Sequence, residues 1–220
     1  MRSAFWIATV AAAAAIAGFS VSGAAVAQTQ QQRDWCYDDK ATDAQTIDGC
    51  SALITAGNLR GRDLAIVLYD RGLSYENTNK NLDAMADFSQ AIALDPGYPD
   101  AFDDRGNIYS KGGDFDRAIA DYDQAIRLKP DFALAFSNRG YNYYRKGDLD
   151  HAIQDLDHSI QLNDKVGRTF VNRALAYVAK HDCARALLDY QSAKKLNWNF
   201  TLSDETRKVC GPALSPLDSP

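Results

Sequence analysis

The residues of this chain best suited to chemistry are its histidines, its aspartates and four cysteines. His151, Asp155 and His158 fall at i, i+4 and i+7, so one helix face could present all three. Two histidines and a carboxylate are a zinc-binding set. Catalysis would need more: a nucleophile, a base and an orienting group, or a metal, held in a pocket. The sequence has no phosphate-cradling glycine loop, no serine elbow and no zinc-helix motif. His181 stands among turn residues and reads as a surface side chain. The cysteines are Cys36, Cys50, Cys183 and Cys210. Without a Cys-x-x-Cys spacing they do not form a metal or redox pair, and their even number fits disulfides in an oxidising compartment.

Asp155 also belongs to a longer pattern that competes with any metal. Arg71, Arg105, Arg139 and Arg173 recur every 34 residues, each followed sixteen residues later by Asp87, Asp121, Asp155 or Asp189. The same step relates Gly72, Gly106, Gly140 and Ala174, then Tyr75, Tyr109, Tyr143 and Tyr177, then Ala84, Ala118, Ala152 and Ala186. A period in this range means stacked supersecondary units. In the unit 99–132, Phe102, Gly106 and Tyr109 share one face of a first helix. Gly112, Gly113 and Asp114 break it. Ala118, Tyr122, Ala125 and Ile126 give a second helix its apolar stripe, and Lys129-Pro130 ends that helix. Gly106, Ala118 and Ala125 are small enough to let the two helices approach closely. Residues 105 and 121 then lie opposite one another, which predicts an arginine–aspartate pair within each repeat or between neighbours. Asp155 is thereby assigned to Arg139, and no metal site is expected.

These residues, in this register, resemble the tetratricopeptide repeat family. The resemblance spans 65–200 as four repeats, 65–98, 99–132, 133–166 and 167–200. It implies an all-α fold: a right-handed α-solenoid of antiparallel helix pairs with capping helices. Departures gather toward the end, where Ser159, Asp164, Ala174 and Trp198 replace expected small or proline residues. The family places leucine where the four arginines stand. Upstream, residues 28–64 read as a linker and a degenerate capping helix over 43–57, carried by Ile47, Cys50, Leu53 and Ile54. Downstream, 201–210 reads as a closing helix with Thr201 or Ser203 as N-cap. The proline-bearing segment 211–220 reads as a disordered tail.

Residues 1–27 have the form of a signal peptide: Arg2, an apolar run from Phe5 to Phe19, and Ala25-Val26-Ala27 as a cleavage site. A periplasmic or secreted location follows. Of the three possible disulfide pairings, Cys36–Cys50 with Cys183–Cys210 fits best, because the repeats separate the two ends of the chain. The full sequence has 24 basic and 29 acidic residues. Removing Arg2 leaves a net charge of −6. No basic stripe supports nucleic acid as a partner, and an acidic chain is at most peripheral to an anionic membrane.

The resemblance implies that the first helices line a concave groove. Its wall would comprise Tyr69, Asp70, Leu73 and Glu76, then Asp103, Asp104, Asn107 and Lys111. Ser137, Asn138, Tyr141, Tyr144 and Arg145 would follow, and Val171, Asn172, Leu175 and Val178 would complete it. Asp103 and Ser137 occupy places where a carboxylate-clamping member would carry lysine, so that activity is not expected. Asn138 and Asn172 fit a backbone-gripping asparagine theme, from which Asp70 and Asp104 depart. The expected function is non-enzymatic protein–protein interaction, with no cofactor. The partner would be an extended peptide with a basic segment, or a helix. The alternative is a self-associating structural subunit of a cell-envelope assembly, a homo-oligomer.

Overall fold

Two turn residues per repeat and one small residue per helix pair dictate a chain of short antiparallel helices, and the computed structural model has that form. It describes Gln30 and residues 34–218. The expected signal peptide, 1–27, lies outside the described residues. The described chain divides into two compact units, meeting at Pro96 and Gly97.

The first unit holds a helical turn over 34–37 and three helices: α1 (Asp43–Ala56), α2 (Gly61–Asn77) and α3 (Asn81–Leu94). The capping helix expected over 43–57 is α1. It opens with a reciprocal cap: Gln45 N–H donates to Thr42 Oγ1, and Thr42 N–H donates to Gln45 Oε1. It closes at Gly57 in the left-handed conformation. The Cys36–Cys50 disulfide, with Cα atoms 4.8 Å apart, ties the preceding turn to α1. Both cysteines are buried with Val67 against Leu53, Ile54 and Leu59.

The second unit runs through α4 (Pro99–Lys111), α5 (Phe115–Leu128), α6 (Ala133–Lys146), α7 (Leu149–Leu162), α8 (Gly167–Ala179), α9 (Cys183–Lys195) and α10 (Asp204–Leu214). Consecutive helices pack in pairs, and the first helices α4, α6 and α8 also touch in series. The aspartates Asp114, Asp148 and Asp182 N-cap α5, α7 and α9. Each accepts the backbone N–H three residues on, satisfying a group the helix leaves orphaned. Close approach inside each pair depends on the small residue. A methyl group at Gly106 would stand 2.8 Å from the Tyr122 ring, and one at Gly140 would stand 2.8 Å from Leu156 Cγ.

The C-terminal end departs from expectation. The closing helix is Asp204–Leu214, capped by Ser203, and a 3-10 turn (Ser215–Asp218) follows it. The expected boundary at 210 and the disordered tail are therefore corrected over 211–218. Pro212 and the lack of periodicity pointed to disorder, but tertiary contacts decide the conformation. Cys210 is bonded to Cys183. Leu214 is buried among Val178, Tyr190 and Leu202, and Lys194 Nζ donates to the carbonyl of Leu217. Trp198, the residue in place of proline, seats its Cβ where a side chain at Gly167 would stand.

One turn position has positive φ in every repeat: Asn79 (60°), Gly113 (79°), Gly147 (83°) and His181 (59°). Histidine holds this left-handed conformation at a cost of about 1–2 kcal/mol relative to glycine. His181→Gly is expected to raise the free energy of unfolding by about 1 kcal/mol in urea titrations. An unchanged or lower value would contradict the assigned turn geometry.

Candidate functional site

The arginine ladder settles which faces of the helices are used for stacking. Arg105 donates through Nε and Nη2 to both oxygens of Asp121 at 2.8 Å. Arg71–Asp87, Arg139–Asp155 and Arg173–Asp189 repeat this forked contact at 2.6–2.9 Å. All four aspartates are buried. Aromatic rings pack on the guanidinium groups: Phe102 and Tyr109 on Arg105, Phe136 on Arg139, Phe170 and Tyr177 on Arg173, and Tyr75 on Arg71. The sequence expectation left open whether pairs form within or between repeats, and the structure has both. Nη1 of Arg139 donates to Asp123 of the preceding second helix at 2.6 Å, and Nη1 of Arg173 donates to Asp157 likewise. In the first unit Arg71 uses Nη1 on Ser51 of the capping helix. Asp123 and Asp157 were missed from the sequence, although their own 34-residue step carried the signal. Lys146–Asp116 and Lys180–Asp150 add a second, more exposed set of links between repeats.

The metal-like histidines are not brought together. Asp155 is held by Arg139. His151 Nδ1 turns to Asp148 at 2.7 Å, with its ring beside Tyr143. His158 packs edge-on against Phe136. Among the described residues no three His, Cys, Asp or Glu side chains are placed to hold a metal ion.

With the ladder in the core, the first helices keep one face for other work. In the first unit, Tyr69 packs its ring against Phe88. Asp70 lies close enough to the half-exposed Tyr37 to help burial raise that phenol's pKa. In the second unit the expected wall divides into three parts. At its α4 end Asp103 and Asn138 are buried and bonded to each other, rather than open to a ligand. Asn138 Nδ2 donates to both oxygens of Asp103 at 3.1 and 3.2 Å, and Arg168 Nη2 donates to Asn138 Oδ1 at 3.2 Å. Burial, then the neighbouring Asp104, push Asp103 up to about 7, against the pull of Asn138 and Arg168. Asn107 donates to Asp104 and accepts from the Tyr122 hydroxyl.

The middle of the wall is aromatic and cationic. Arg145 Nη1 donates to the Tyr141 hydroxyl at 3.1 Å, and its guanidinium lies over Phe115, 4.8 Å from the ring centre. Tyr144 stands beside Tyr141. Ser137, expected on this wall, is fully buried, 3.1 Å from Thr169 Oγ1. The apolar end differs most from expectation. Val178 is buried, and Val171 packs with it, under Leu202, Leu214 and the stapled α10. The cap therefore covers the apolar stretch that the repeat register assigned to the open wall. Asn172, 8% exposed, stays at the floor beside it.

An all-helical repeat scaffold with a polar, aromatic first-helix face is thus defined. Such stacks present extended surfaces to other polypeptides. Known repeat patterns fit it directly: a tetratricopeptide repeat pattern matches residues 65–98 and 133–165, and a TPR repeat pattern matches 106–147. The chain belongs to the tetratricopeptide repeat family. No curated protein matches the sequence. Among solved structures, MamA from Desulfovibrio magneticus RS-1 superposes with a TM-score of 0.66 at 15% identity, over 78% of this chain and 94% of that one. A further MamA crystal structure gives 0.64 at 20% identity, over 83% and 100%. The first TPR domain of Spaghetti (RPAP3), bound to the HSP90 peptide SRMEEVD, gives 0.53 at 21% identity, over 55% and 96%. At these identities the likeness is one of fold.

The two kinds of carboxylate contact should respond differently to mutation. Asp155→Ala leaves Nε and Nη2 of the mostly buried Arg139 without their carboxylate, with Asp123 still on Nη1, and is expected to cost about 3 kcal/mol of unfolding free energy. Asp123→Ala removes a half-exposed partner and should cost no more than about 1 kcal/mol. Equal losses in urea unfolding would contradict the assignment. Asp103 gives a pH signature. Unfolded, it releases its proton near pH ~4. Folded, it holds the proton to about 7, so its contribution to stability falls as pH rises between these values and is flat above them. Asp103→Asn should remove that decline and make the chain more stable at pH 8. A variant that keeps the wild-type slope would overturn the reading.

Proposed function

We propose that this chain is a non-enzymatic scaffold that binds an extended segment of another protein along the first-helix face of its second unit, after export to the periplasm or beyond. One observation carries the reading. Asp104, Asn107, Tyr141, Tyr144, Arg145 and Asn172 share a face that the stacking of helices does not consume, because packing between pairs runs through the arginine ladder instead. Aromatic rings beside hydrogen-bonding side chains suit a peptide, which offers both apolar and amide groups. The acidic α4 end, Asp100, Asp103 and Asp104, favours a peptide with a basic segment. The RPAP3 domain's ligand, SRMEEVD, is acidic at its C-terminal half, and Asp103 and Ser137 here replace the lysines that a carboxylate clamp would use. A different ligand chemistry follows.

Two disulfides and no free cysteine support an oxidising compartment. Among the described residues no helix is long and apolar enough to cross a membrane. The first-helix residues Tyr69 and Asp70 of the opening repeat belong to the same proposed class of contact.

Capture from a periplasmic extract by the mature chain, compared with an Asp104→Lys, Asn172→Ala variant, tests the reading. A protein retained by the wild type and lost by the folded variant is expected. Equal retention by both would move the site to another surface. Retention of the chain's own copies alone would replace the scaffold by the self-associating subunit.

A further inference from the structure

The α4 end of the face contains more hydrogen-bond acceptors than donors. Asp103, 5% exposed, has two carboxylate oxygens that share a single donor, the Asn138 amide nitrogen. Asn142, 1% exposed, lies one turn along from Asn138. Its Nδ2 donates to the Asn138 carbonyl at 2.8 Å, and its Oδ1 has no partner. The reverse amide orientation would set two oxygens against each other, so the unpartnered atom is the acceptor. The neighbouring Tyr122 spends its hydroxyl proton on Asn107. A buried acceptor without a donor is costly. The charges point the same way: Asp104 and Asp100 lie near Asp103, and Arg168 is the cation that opposes them.

Arg168 serves this cluster poorly. It is exposed, it reaches Asp103 only through Asn138, and it stands in the first turn of α8. A cation at the N-terminal end of a helix opposes the helix dipole. Its hold on the cluster is therefore weak, and it can swing into solvent.

We propose that Asp103, Asn138 and Asn142 form a subsite for an arginine side chain of the partner, and that Arg168 fills its mouth until a partner arrives. A guanidinium carries five N–H donors in a planar fork, against three on an ammonium, and so matches a cluster short of donors. Binding would replace the relay through Asn138 by a direct contact to the carboxylate. Arg168 acts as a competitor built into the chain and sets which partner side chain is strong enough to enter. The proposal rests on reading the first-helix face as the ligand face.

The test is an NMR titration of the mature chain at pH 8 with N-acetyl-argininamide, following the side-chain amides of Asn138 and Asn142. N-acetyl-lysinamide and neutral N-acetyl-citrullinamide are the controls. The arginine probe should shift both amides, with lysine weaker and citrulline silent. Arg168→Ala should tighten binding by about twofold or more, since it removes the competing occupant. Asp103→Asn should abolish binding. Arg168→Ala is an exposed change and keeps the test valid if Asp103→Asn folds poorly. Unchanged or weaker binding by Arg168→Ala would overturn the competitor role. Silence of both amides in wild type and Arg168→Ala would overturn the subsite. Capture that depends on Asp104 and Asn172 alongside silent amides would reject the subsite alone. Shifted amides alongside capture that ignores those residues would reject the peptide-face reading alone.

Discussion

Arg139 and Arg173 are each shared by two second helices, and this sharing is the constraint on which the rest depends. Arg139 grips Asp155 with one edge of its guanidinium and Asp123 with a remaining nitrogen. Five donors in a fixed plane make this possible, and lysine could not reproduce it. The stem and ring neighbours pack as apolar matter, while the head group stays satisfied. Arg173 does the same between the last two repeats. A buried pair of this kind adds little net stability over an apolar contact. Its effect is on register: a helix slipped by one residue would strand both a buried aspartate and its arginine.

Register, in turn, decides where the first helices point. Gly140 brings α6 against Leu156 and the carbonyl oxygen of Ala152, 3.0 Å from where a Cβ would stand. With the inner side of each pair fixed by close packing and arginine forks, the outer side of α4, α6 and α8 is the face on which we propose that a partner binds. The disulfide-bonded cap then sets the limit of that face. By covering Val171 and Val178 it leaves the polar and aromatic stretch open and withdraws the apolar one. A fraying last repeat would expose both, and the Cys183–Cys210 bond closes a loop whose constraint is worth about 3 kcal/mol or more in the chain-entropy model.

Much of this is legible in the sequence because repetition multiplies weak signals. A single glycine at 106 says little, but Gly72, Gly106 and Gly140 in step with tyrosines and alanines specify helix pairs. The sixteen-residue offset from Arg105 to Asp121 reads directly as a contact across a hairpin. Other features lie outside any one-dimensional pattern. Asp123 was passed over because it pairs with a residue of the following repeat, sixteen positions on. Asn138 looked free because helix position alone cannot reveal that Asp103 lies within reach from the neighbouring helix. The segment after Cys210 looked disordered because Pro212 dominates local propensity, whereas Leu214 and the disulfide dominate the folded state.

Hydrogen exchange of the mature chain, with and without its captured partner, tests the central claim most directly. Slowed exchange confined to α4, α6 and α8 is predicted, because those helices carry the proposed binding face. Slowed exchange in α5, α7 and α9, with the first helices unchanged, would contradict the account.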